Sequence, residues 1–125
     1  MLKRMFLATA SSVILLFSVA AHAEPITVVF SCTLNEGSTK ADAMEINSRW
    51  LKWARETAGT DEITSSFVST IVGDLDGFMW VDTYPDIPTW GKIVDSDSDF
   101  DAEFGEISTC SSNRIYRGEQ TVPAK

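Results

Sequence analysis

The chain has 125 residues, with 18 acidic against 10 basic side chains and a formal charge of −8. Such an excess of acid is repelled by nucleic acid and by anionic membrane surfaces, so neither is expected as a partner. One histidine (His22) and two cysteines (Cys32 and Cys110) narrow the available chemistry further.

The N-terminus has the three parts of a secretory signal in order. Lys3 and Arg4 form a positive start, and Met5 to Ala20 is an apolar stretch broken only by Thr9, Ser11, Ser12 and Ser18. Ala21-His22-Ala23 then offers small residues for cleavage before Glu24-Pro25. A membrane anchor needs about 20 largely uninterrupted apolar residues, which this stretch does not supply. The expected working form is therefore one domain, residues 24–125, in the periplasm or outside the cell. It keeps all 18 acids but 8 of the 10 bases, a formal charge of −10, and has no histidine. Ser–His and Cys–His nucleophiles, histidine-ligated haem and the common catalytic zinc sites are thereby excluded. An even cysteine count in an exported domain argues for one Cys32–Cys110 disulfide, and neither cysteine has the nearby CxxC partner of thiol redox catalysis.

Residues 26–34 alternate, with Ile26, Val28, Phe30, Cys32 and Leu34 on the core face of a predicted strand. Asn35-Glu36-Gly37 is a turn, and Ser38 or Thr39 can cap the helix predicted from Lys40 to Ala58. Its apolar face carries Ala43, Trp50, Leu51, Ala54 and Ala58, and Gly59 ends it. Ile63–Val72 and Phe78–Tyr84 read as two strands of a hairpin around Asp74-Leu75-Asp76-Gly77. Pro85 stops the second. Asp86 and Pro88 open a short helix with Trp90, Ile93 and Val94 on its inner side, and Phe100, Phe104 and Ile107 mark another helical piece. A last strand is expected at 113–118, around Ile115 and Tyr116.

The order strand, helix, strand, strand, helix, strand is the ferredoxin-like split βαβ pattern of the α+β class, with a four-stranded antiparallel sheet. Its fourth strand lies antiparallel beside the first, which would bring Cys110 near Cys32. Met79, Val81, Val68 and Val72 on one side of the sheet, with Phe78, Trp80, Phe67 and Ile71 on the other, make both faces apolar. Helices cover one face only, so a homodimer is expected.

Over about residues 25–120 the chain resembles the dimeric α/β-barrel superfamily, nearest to its stress-responsive and antibiotic-biosynthesis-monooxygenase branches. The resembling segment runs from the third strand into the second helix, Trp80-Val81-Asp82-Thr83-Tyr84-Pro85-Asp86-Ile87-Pro88-Thr89-Trp90. The resemblance implies sheets closing into a barrel across a dimer, with a pocket between sheet and helices in each subunit. It implies no activity, since that fold hosts enzymes and binders alike.

Trp50, Trp80, Tyr84, Trp90 and Asn47 are the candidates for lining a pocket that takes a small apolar or aromatic ligand. The ordinary fate of large aromatics is the core. Between residues 74 and 106 ten acids face a single base, Lys92. There Asp95, Asp97, Asp99, Asp101 and Glu106 fall at calcium-loop spacing, but Phe100 stands where the loop needs glycine. A solvated acidic loop is the simpler reading, so no cofactor is expected beyond this weak calcium candidate. Arg114 and Arg117 on the last strand are expected in surface ion pairs. The favoured function is a non-catalytic, dimeric ligand-binding or accessory domain. The alternative is a cofactor-independent monooxygenase using the aromatic pocket with Asn47 or Asp82 as its polar group.

Overall fold

The computed structural model of the protein describes residues 24–119 and 121–125. The secretory signal read at residues 1–23 lies outside the described residues. The alternation at the start forms strand β1 (Ile26–Leu34), followed by helix α1 (Lys40–Ala58). Helix α1 begins where it does because Thr39 and Asp42 make a reciprocal capping box. Such a cap is worth about 1 kcal/mol. It ends at Gly59, whose φ of 72° is the left-handed conformation open to glycine. Beyond it, the Arg55 guanidinium donates twice to the Ile63 carbonyl and so sets the path into the next strand.

Strands β2 (Thr64–Ser69) and β3 (Gly77–Tyr84) form the expected hairpin. The first strand is shorter than its β-branched residues suggested, because its ladder stops at Ser69 opposite Phe78. Ile71 and Val72 therefore have no pairing partner and stand 88% and 91% exposed. Helix α2 (Ile87–Val94) is capped by Asp86, which accepts from the Thr89 amide, and helix α3 (Phe100–Ile107) follows. The chain then runs straight into strand β4 (Ser108–Arg117), five residues earlier than the expected start at 113.

The sheet order is β2-β3-β1-β4 and every pairing is antiparallel. With three helices on one side, this is the ferredoxin-like α+β arrangement expected from the sequence, its second helical segment split in two. The β1–β4 register shifts between Ser31 and Cys32, a β-bulge that leaves Ser111 as the extra residue. Cys32 consequently faces Cys110, and the two are bonded.

The registry sorts the side chains cleanly. Ile26, Val28, Phe30 and Cys32 of β1 stand opposite Tyr84, Asp82, Trp80 and Phe78 of β3, and this is the face beneath the helices. Two buried clusters form there, one around Val28, Ala54, Tyr84 and Ile93, the other around Ala43, Phe78 and Trp80. The opposite face carries Val29, Val81, Met79 and Val68, bordered by Arg114 and Tyr116. Val68 and Met79 are exposed there. Among the described residues, no helix is long and apolar enough to cross a membrane.

Candidate functional site

A cavity of about 500 Å³ lies between the sheet and the helices, where the two clusters meet. Phe30 packs against both clusters and forms part of its wall. Helix α1 contributes Asn47, Trp50 and Trp53, three and six residues apart on one helical face. Strand β3 contributes Trp80, Asp82 and Tyr84, which alternation directs to the same side. Helix α2 adds Trp90, while Asp101 and Phe104 come from α3.

All five pocket candidates named from sequence, Asn47, Trp50, Trp80, Tyr84 and Trp90, are brought together around this one space. Trp53 lines it as well, with its ring 5.8 Å from that of Phe100. Cys110 lines it too, so the disulfide is part of the wall.

At the base of the cavity a polar chain is set into apolar surroundings. The Asn47 amide donates to Ser65 Oγ at 3.0 Å, and the Ser65 hydroxyl donates to Asp82 Oδ1. Asn47 and Asp82 are both buried. Among the described residues, the Ser65 hydroxyl is the side-chain donor that reaches the Asp82 carboxyl, and it does so at Oδ1. Burial pushes the Asp82 carboxyl up to about 6, against the opposing pull of its Ser65 hydrogen bond. Burial, and after it the Asp82 charge, also raise the Tyr84 hydroxyl well above its ordinary range. Tyr84 therefore stays neutral at physiological pH. Ser65 was not singled out from sequence. Its signal was the β2 alternation, which places it two residues from Phe67 on the same face.

Trp80 sits edge-on to Phe67 and Phe78, with ring planes at 89° and 90°. Its indole Nε1 is buried and has no hydrogen-bond partner among the described residues. Over the cavity's rim, Arg49 binds Glu45 on its own helix and Glu103 on α3, fastening α3 to α1. That contact holds the Glu103 carboxyl below its usual range.

The calcium spacing does not become a loop. Helix α3 starts at Phe100, so Asp101 and Glu106 are carried on a helix while Asp95, Asp97 and Asp99 precede it. Among the described residues, no three His, Cys, Asp or Glu side chains gather to hold a metal ion. Arg117 pairs with Glu24 at 2.9 Å, with both side chains 56% exposed, which is the surface ion pair expected of it.

No protein-family model matches the sequence, and no curated protein matches it. Solved structures do match. SnoaB from Streptomyces nogalater, a cofactor-independent oxygenase, superimposes with a TM-score of 0.62 at 12% identity, over 82% of this chain and 100% of its own. A NIPSNAP-like domain protein from Burkholderia xenovorans gives 0.55 at 12% identity, over 82% and 92%. Protein SO0527 from Shewanella oneidensis gives 0.51 at 17% identity, over 78% and 91%. These likenesses show that this chain shares the ferredoxin-like α+β fold with them.

Proposed function

We propose that this chain is an exported, dimeric domain that binds a small planar aromatic molecule in the cavity between its sheet and helices. The observation that carries this reading is the cavity itself, where four tryptophans share the lining with two buried polar residues, Asn47 and Asp82, which half-buried Ser65 links by hydrogen bonds. Apolar walls with a few placed polar groups are the usual make-up of a small-molecule site. Flat aromatic walls supply the contact area, and the polar chain orients a hydroxyl or carbonyl of the ligand. In calorimetry, a planar phenol such as 2-naphthol is expected to bind saturably and to quench tryptophan emission. Trp90→Ala should weaken that binding by about tenfold, given the worth of a stacked aromatic. Absence of saturable binding into the millimolar range would sink the reading.

Export and pairing belong to the same proposal. The signal pattern at residues 1–23 and the disulfide support export. The apolar outer face of the sheet, centred on Val29, Val81 and Met79, supports a second copy packing against it. Protein recovered from the periplasm should begin at Glu24 and sediment at twice its chain mass.

A second reading, oxygenation of the bound molecule without a cofactor, is favoured by Asp82. A carboxylate with its pKa near 6, facing an aromatic cavity, is suited to take the proton from a hydroquinone-type substrate. The resulting anion is electron-rich and can itself reduce dioxygen. Oxygen uptake with such a substrate should rise with pH through about 6 as Asp82 ionises, and should be lost in Asp82→Asn. Binding without uptake leaves the domain a binder.

A further inference from the structure

The electrostatics of the cavity narrow the class of its ligand. Among the described residues, its lining holds two carboxylates, Asp82 from β3 and Asp101 from α3, and no lysine, arginine or histidine. Two bases on the surrounding helices are engaged elsewhere. Arg49 is held by Glu45 and Glu103, and Lys92 donates to the Ala58 carbonyl. A low-dielectric recess lined by one sign of charge concentrates ligands of the opposite sign. The aromatic walls act in the same direction, because the face of an indole or phenol ring attracts a cation. An anionic ligand would meet buried negative charge here with no basic side chain to offset it.

We infer that the cavity takes a cationic ligand, an aromatic amine or quaternary ammonium compound held by the tryptophan faces with Asp82 as its counter-charge. This rests on the cavity being a binding site, as proposed above, and adds the charge of what it binds. Each element around the space has its part. Helix α1 brings Trp50 and Trp53, α2 brings Trp90, and β3 brings Trp80 with Asp82. Asn47 and Ser65 fix the carboxylate through Oδ1, and the cation would meet Oδ2. A cation there also favours the ionised form of Asp82, so binding drives proton release near neutral pH.

The test compares three probes of similar size on the intact wild-type protein by calorimetry at pH 7.5. They are phenyltrimethylammonium, its neutral isostere tert-butylbenzene, and benzenesulfonate. The cation is expected to bind at least about tenfold more tightly than the neutral isostere, and the anion most weakly. Asp82→Asn should remove about tenfold of the cation's affinity and leave that of tert-butylbenzene unchanged. Lowering the pH through about 6 should weaken the cation alone, since Asp82 then takes up a proton. Of the other titratable groups in the lining, Tyr84 is neutral throughout this range. Asp101 has its own control in Asp101→Asn, which should leave that pH dependence in place. Should the variants not fold, the wild-type ratio of cation to neutral probe still decides. Equal binding of the two, or tighter binding of the anion, would overturn the cation assignment while leaving the binding cavity standing. Failure of all three to bind overturns both.

Discussion

Replacing both half-cystines, Cys32→Ala with Cys110→Ala, is expected to lower the unfolding temperature by on the order of 10–20 °C. The bridge closes a loop of 78 residues. In the chain-entropy model such a closure stabilises by up to about 4–5 kcal/mol, and measured bridges commonly deliver about 2–4. The location argues for the upper part of that range. Strand β4 is an edge strand whose residues after Ser108 are all exposed, so little apolar burial holds it against β1. Its backbone ladder and the disulfide do that work. Alanine rather than serine avoids placing a hydroxyl in the buried Cys32 position. Scanning calorimetry of the variant, and of wild type with reductant, is the measurement. A fall of under about 3 °C would mean that the ladder alone secures β4. Amide exchange in Ser108–Arg117 should accelerate most, because this segment loses the cross-link that fastens it to β1.

Asp82→Asn is expected to stabilise the protein at pH 7.5 by on the order of 1–3 kcal/mol and to flatten its stability between pH 4 and 7. In the folded chain burial lifts the Asp82 carboxyl to about 6, whereas an unfolded aspartate titrates near 4. Between those values the folded state holds a proton that the unfolded state has released. The contribution of Asp82 to stability is therefore fully present below about pH 4 and is lost as pH rises through 6. At neutral pH its ionised form costs about 3 kcal/mol. Asparagine keeps an oxygen for the Ser65 hydroxyl and discards the charge. Urea unfolding at pH 4.5 and 7.5 tests this, and an Asn variant less stable than wild type at pH 7.5 would falsify it. A chain that keeps an ionisable group at such a cost, in the wall of a cavity, has the pattern of a site tuned for binding or proton transfer rather than for stability.

Where sequence and structure part, the causes are local. Periodicity located β1, α1, β3, α2 and α3, because each turns one face to the core, in α3 through the partly buried Phe104 and Ile107, and so carries the period of its own geometry. It overran β2 at Ile71 and Val72, since β propensity reflects fit to a pleated surface and those residues have no partner strand beside them. It missed the first half of β4 for two reasons. Ser108–Asn113 lies on an edge with its side chains largely in solvent, so it needs no apolar rhythm. The bulge opposite Ser31–Cys32 also breaks the alternation in that stretch. The acidic spacing at 95–106 suggested a calcium loop, but the helix beginning at Phe100 spreads those carboxylates instead of gathering them.

The candidate site was legible in its aromatic residues and in two of its polar ones, Asn47 and Asp82; Ser65, which links them, was not. Trp50, Trp80, Tyr84 and Trp90 could be named because large aromatics on inward-facing positions of a known topology have few other places to go. Ser65 was missed because alternation with Phe67 gives only its face, and a serine in a hydroxyl-rich strand does not stand out until Asp82 is seen across the ladder from it.

The sequence by itself determined the element order, the core faces of β1 and α1 and the pairing of its two cysteines, while the face that β3 turns to the helices was left to the structure. Those follow from local periodicity, turn chemistry and an even count of thiols, all of which act within a few residues or through topology. Only the tertiary structure decided that the helices stand off the sheet far enough to leave about 500 Å³ between two clusters. It alone decided, too, that Asp82 is buried and accepts the Ser65 hydroxyl at Oδ1. The reason is physical. A void and a pKa depend on how distant side chains fill, or fail to fill, a shared space, and no stretch of the chain encodes that alone.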